Sequence, residues 1–75
     1  MSYLKFTQNH SYTGRTKLFV VENLDGHRLG EIRWWTPWRR YTFQPANWTT
    51  FDVGCLLEIT EFIKQLMEER KDGKQ

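Results

Sequence analysis

The apolar residues of this chain change their spacing once, and that change decides most of what it can fold into. Up to Gln44 they alternate with polar residues; from Cys55 onward they recur at three- and four-residue steps. The first spacing is that of half-buried strands and the second that of one face of a helix. Cys55, Leu56, Ile59, Phe62, Ile63, Leu66 and Met67 form the helical stripe, with Glu58, Glu61, Lys64, Gln65, Glu68 and Glu69 between them. This predicts one amphipathic helix over about 52–70. Thr49, Thr50 and Asp52 are each acceptable N-caps, and early acids with the late Arg70-Lys71 suit the helix dipole.

The strands follow from the first half. Tyr3 to Thr7 alternates, and Lys17 to Asn23 is rich in β-branched and aromatic residues. Asp25-Gly26 marks a hairpin turn before a third strand, Arg28 to Trp35. Pro37 cannot donate to a ladder, so the chain is expected to turn at Thr36-Pro37 and return as Trp38 to Gln44. The expected fold is α+β: a three- or four-stranded antiparallel β-meander packed on one C-terminal α-helix, leaving the other sheet face uncovered. It forms one domain over residues 1–70, followed by a flexible tail at 71–75.

A chain of 75 residues has little core to spare, and its twelve aromatic residues compensate, since each buries roughly 150–250 Å². Part of the Trp34, Trp35 and Trp38 cluster is therefore core. The lone Cys55 has no internal disulfide partner, and no Cys and His set stands at metal-ligand spacing, so neither metal nor cofactor is expected. There is no signal-like N-terminus and no apolar run of membrane-spanning length. These features lead to the expectation of a reducing cytoplasm, away from membranes. The Asn47-Trp48-Thr49 acceptor pattern is then a chance match.

Charge is uneven along the chain. Residues 1–50 carry seven Lys and Arg against three acids, and residues 51–75 carry four against six. The basic half contains Arg33 to Pro45, "RWWTPWRRYTFQP", with three tryptophans, a tyrosine, a phenylalanine and three arginines around Pro37. If its two strands pair tightly across Thr36-Pro37, Trp35 faces Trp38, Arg33 faces Arg40 and Glu31 faces Thr42 on the open face. Ile32, Trp34, Tyr41 and Phe43, with Arg39 beside them, then turn toward the helix. Like charges directly opposite on a sheet are unfavourable, so an Arg33 and Arg40 pair implies an anion between them. Guanidinium groups bind phosphate or carboxylate bidentately, and indoles offer stacking faces. The expected ligand-binding residues are Arg33, Trp35, Trp38 and Arg40, with Arg39 and Trp48 as a second tier. The plainer alternative has the arginines stacking on indoles within the chain, with Glu31 neutralising one of them.

Nothing points to catalysis. His10 and His27 sit in turns with no nucleophile placed by a readable motif, and Cys55 lies on the apolar stripe as a small hydrophobe. The helix glutamates form a solvated face.

The run Leu29 to Pro45, continued by Thr50-Phe51 and Cys55-Leu56-Glu58-Ile59-Phe62-Ile63, resembles a group of small phage and prophage proteins of unassigned activity. They share Gly-x-Ile-x-Trp-aromatic-x-Pro-Trp-Arg-x-Tyr-x-Phe-x-Pro followed by Cys-Leu-x-acid-Ile-x-x-Phe-Ile. The resemblance implies a phage source and no particular chemistry. Trp38, Arg39, Tyr41 and Phe43 fall on its fixed positions, Arg40 on a variable one. The functional expectation is a non-catalytic binding module for single-stranded nucleic acid. The alternative is an inhibitor or assembly factor that binds a host or phage protein, and a homodimer through the open face or an edge strand is a further reading.

Overall fold

The computed structural model describes residues 3–72. Four strands and one helix follow in the order β1 (Leu4–Gln8), β2 (Leu18–Asn23), β3 (Arg28–Trp35), β4 (Arg40–Pro45) and α1 (Val53–Asp72). Each strand pairs antiparallel with its sequence neighbour, giving the sheet order β1-β2-β3-β4. The fold is the expected α+β meander in its four-stranded form. In such a meander alternate connections share an end. The β1–β2 loop, the β3–β4 turn and the C-terminal turn of α1 meet at one end, called the upper end below. The β2–β3 turn and the β4–α1 loop lie at the lower end.

Alternation along the strands turns Phe6, Phe19, Val21, Ile32, Trp34, Tyr41 and Phe43 toward α1, which adds Ile59, Phe62 and Leu66. Val21 and Ile32 are wholly buried. Phe62 stacks on Phe6 at 4.2 Å between ring centroids and meets Phe19 edge-on at 4.8 Å. Gly30 permits the close approach of β4: a Cβ there would lie 2.5 Å from the Gln44 carbonyl oxygen and 2.8 Å from the Phe43 ring. Cys55 is half-buried against this core, as expected, and desolvation raises its thiol pKa.

α1 crosses the sheet diagonally. Low on the helix, a Glu58 carboxylate oxygen accepts the Tyr3 N–H at 2.8 Å and Phe62 covers Phe6, beside β1. Higher up, the Met67 sulfur accepts the Tyr41 N–H at 3.4 Å and Glu69 reaches Lys17 at 3.6 Å, beside β4 and the start of β2. The helix leaves the β1 edge as it rises, and a groove opens there.

Three expectations are corrected. The β3–β4 connection is a four-residue turn, Thr36 to Arg39, in which the Trp35 carbonyl accepts from Trp38 N–H at 3.2 Å and Arg39 N–H at 2.9 Å. β4 therefore begins at Arg40, and the pairs are Trp35 with Arg40, Trp34 with Tyr41, Arg33 with Thr42 and Glu31 with Gln44. Trp38 and Arg39 leave the sheet, and Arg33 no longer faces Arg40. Second, α1 has no acid in its first turn. Of the three candidate caps it is Asp52 that caps the helix, accepting the Cys55 N–H at 2.9 Å. That bond, first among its causes, lowers the Asp52 pKa. Third, Leu56 is 48% exposed. In the first turn of α1 it is Cys55, the residue before it, that takes the side facing the core. The helix also continues through Lys71 and Asp72, two residues of the expected tail, and the rest of that tail lies outside the described residues.

Candidate nucleic-acid interface

The upper end is built by three segments that converge there. From the β1–β2 loop come Tyr12, Arg15 and Thr16; from β3 and its turn come Arg33, Trp34, Trp35, Thr36 and Pro37; from the last turns of α1 comes Arg70. Together they line a cleft of about 550 Å³ at the end of the sheet, and among the described residues no acidic side chain lines it. Trp34 stands edge-on to Tyr41 at 5.4 Å, so the core fixes its ring. The Arg70 guanidinium lies 4.1 Å from the centroid of that ring, within cation–π range. Tyr12 folds over Gly14, where a Cβ would meet its ring at 2.5 Å; glycine is what lets this loop bring the phenol to the cleft.

Arg33 reaches the Glu31 carboxylate at 3.8 Å, and Arg28 pairs with the same carboxylate. The plainer alternative thus holds in part, since Glu31 is shared between two arginines. Arg15 and Arg39 have no ion-pair partner among the described residues. Arg40 Nε donates to the Trp38 carbonyl at 3.3 Å and braces the turn.

The structure separates the residues expected to form one site. Arg33 and Trp35 line the basic cleft. Trp35 also joins Trp38, with Thr42, Phe43 and Gln44, around a shallower depression of about 330 Å³. Arg40 lines neither, and with Thr42 opposite Arg33 the anion argued from two facing arginines loses its basis. Arg39 is exposed in the turn at φ 54° instead of beside Trp34, whose ring Arg70 takes. Trp48 lies in the β4–α1 loop at the lower end, wholly exposed at φ 63°. Exposed Leu24, Val53, Leu56 and Leu57 belong to the segments that meet at that end too.

Among the described residues no group of three or more His, Cys, Asp or Glu could hold a metal ion, and no helix is long and apolar enough to cross a membrane.

No family model and no solved structure matches the chain. Over 70 residues it is 44% identical to the uncharacterized 9.3 kDa protein of Acholeplasma phage L2, a match that covers 92% of this chain and 90% of that protein. The chain belongs to this family of small phage proteins. The phage source expected from Leu29 to Ile63 therefore holds across nearly the whole length.

Of the charged and aromatic residues of this phage protein's cleft, four were not expected there: Tyr12, Arg15, Trp34, which the strand alternation assigned to the core alone, and Arg70. The first two were within reach, because any meander puts its first and third connections at one end, so "SYTGRT" had to stand beside "WTPWR". Arg70 depends on the helix crossing angle, for which no residue pattern speaks.

Proposed function

We propose that this small phage protein is a non-catalytic binding module whose upper cleft takes single-stranded nucleic acid. The observation that carries the reading is the meeting of three guanidinium groups, Arg15, Arg33 and Arg70, with the rings of Tyr12, Trp34 and Trp35 in one cleft that has no acid among its described lining residues. Single strands need both components: cations along the backbone and flat faces for the unstacked bases. Arg70 is already held over the Trp34 ring, so less side-chain freedom is lost when a phosphate arrives. Trp35 and Trp38, 43% and 64% exposed, extend the stacking surface down the open face.

The test is fluorescence anisotropy of labelled single-stranded DNA and RNA at low and moderate salt. Three phosphate contacts give a slope of log affinity against log salt of about −2. Arg15→Gln, Arg33→Gln and Arg70→Gln combined should abolish binding. Undiminished binding by the triple variant would remove the cleft from the account.

A second reading, a factor that binds a host or phage protein, draws on the lower end, where Trp48 and the exposed aliphatic residues offer anchor-type side chains without a basic field. Such binding would persist at moderate salt and would be lost in Trp48→Ala.

A further inference from the structure

Trp35 belongs to two concavities at once. Besides lining the basic cleft, it walls the 330 Å³ depression that Trp38, Thr42, Phe43 and Gln44 complete, with no charged side chain among the described lining residues. Trp35 and Trp38 are both exposed. Trp34 is covered by Tyr41 and Arg70, whereas neither of these two indoles takes part in a ring pair or an arginine stack among the described residues. Their faces are open to a flat ligand.

The polar groups of the depression come from β4. Thr42 and Gln44 are two residues apart on one strand, so both side chains rise from the same face, about 7 Å apart at the backbone. The Thr42 hydroxyl donates to the Arg33 carbonyl at 3.2 Å, which commits its one proton. Toward a ligand its oxygen can only accept. The Gln44 carboxamide has no hydrogen-bond partner among the described residues and offers an acceptor and a donor side by side. Glu31, opposite Gln44 on β3, has its carboxylate held by Arg28 and Arg33.

We propose, resting on the single-stranded nucleic-acid reading of the cleft, that this depression is a base subsite selective for an amino-bearing base, adenine foremost. With phosphates against the arginines of the cleft, a neighbouring base passes Trp35 and stacks on the free indoles. An exocyclic amine brings two protons. One goes to Gln44 Oε1 and the other to Thr42 Oγ1, while Gln44 Nε2 donates to the adjacent ring nitrogen. Adenine meets all three groups, and cytosine meets them with a smaller face for the indoles. Guanine carries its amine between a protonated ring nitrogen and the sugar edge. Uracil and thymine put a carbonyl oxygen where the amine would stand, acceptor against acceptor at Thr42.

The test is fluorescence anisotropy at low salt of a short labelled uracil oligomer, and of the same oligomer with its central base replaced by adenine or by cytosine, against the whole chain. Adenine should bind about tenfold tighter than uracil, with cytosine between them. Gln44→Met, close in size and without the amide, should remove most of that preference while leaving the affinity for the uracil oligomer and the circular dichroism unchanged. Thr42→Val, which keeps the shape and loses the acceptor, should narrow the preference, and it decides the question should Gln44→Met fail to fold. Equal binding of the three oligomers by the wild type overturns the subsite and leaves the cleft standing, as does a preference that Gln44→Met retains at full size. Binding of none of them overturns the nucleic-acid reading and the subsite together.

Discussion

The upper and lower ends of this sheet are made by the same four strands, yet their exposed aromatic residues are held in opposite ways. At the upper end the rings and cations brace one another: Arg70 on Trp34, Trp34 on Tyr41, Arg33 against Glu31, Arg40 on the Trp38 carbonyl. At the lower end Trp48 stands wholly in water on a left-handed backbone, with exposed Leu24, Val53, Leu56 and Leu57 on the neighbouring segments. Charge divides the same way. Arg15, Lys17, Arg33, Arg39, Arg40 and Arg70 outnumber Glu68 and Glu69 above, whereas below Arg28 stands with Glu22, Asp25, Asp52 and Glu58. The difference teaches that an abundance of tryptophan does not define one site. A prearranged cationic cleft suits a flexible anion with flat bases, while loosely held apolar side chains suit a surface that another protein would order on contact.

The comparison is broken most forcefully at Trp34, the ring shared by core and cleft. Trp34→Ala should cost about 3 kcal/mol of stability, measured by urea unfolding, and should end oligonucleotide binding at the same time. Arg70→Gln separates the two roles. Stability should fall by no more than about 1 kcal/mol, while oligonucleotide affinity drops and the salt slope shrinks by about 1.

The cap at Asp52 tests the lower end through pH. Its carboxyl titrates below the ordinary 3.8, so the carboxylate contributes stability that is present at neutral pH and lost as pH falls through the depressed value. Asp52→Ala should melt at a lower temperature than wild type at pH 7, and the gap should close in strongly acidic buffer. A gap of constant size would show that the cap acts through something other than the charged carboxylate. The smallest effect is expected at Trp48: Trp48→Ala should leave stability within about 0.5 kcal/mol and oligonucleotide binding unchanged.

How far the sequence could be read varies by element, for physical reasons. The strands and helix were legible because their spacing reports directly on which side is buried. The sheet faces were also legible, though the β3–β4 register was not. Lengthening the turn from two to four residues moves every pair by an even step, so Ile32, Trp34, Tyr41 and Phe43 stay on the helix side while Arg33 exchanges Arg40 for Thr42. Nothing in "TPWR" announces a left-handed Arg39, a conformation that favours glycine or asparagine. Of the site, Arg33 and Trp35 were legible from composition. Arg70 was not, because its place on Trp34 is set by the diagonal course of α1 across the sheet.

The most direct test of the central claim reads the indole N–H signals of the four tryptophans by NMR as a single-stranded oligonucleotide is added at low salt. With the strand in the upper cleft, the Trp34 and Trp35 signals move, Trp38 moves less, and Trp48 stays in place. Movement of Trp48 without Trp34 would put the ligand at the lower end and contradict the account.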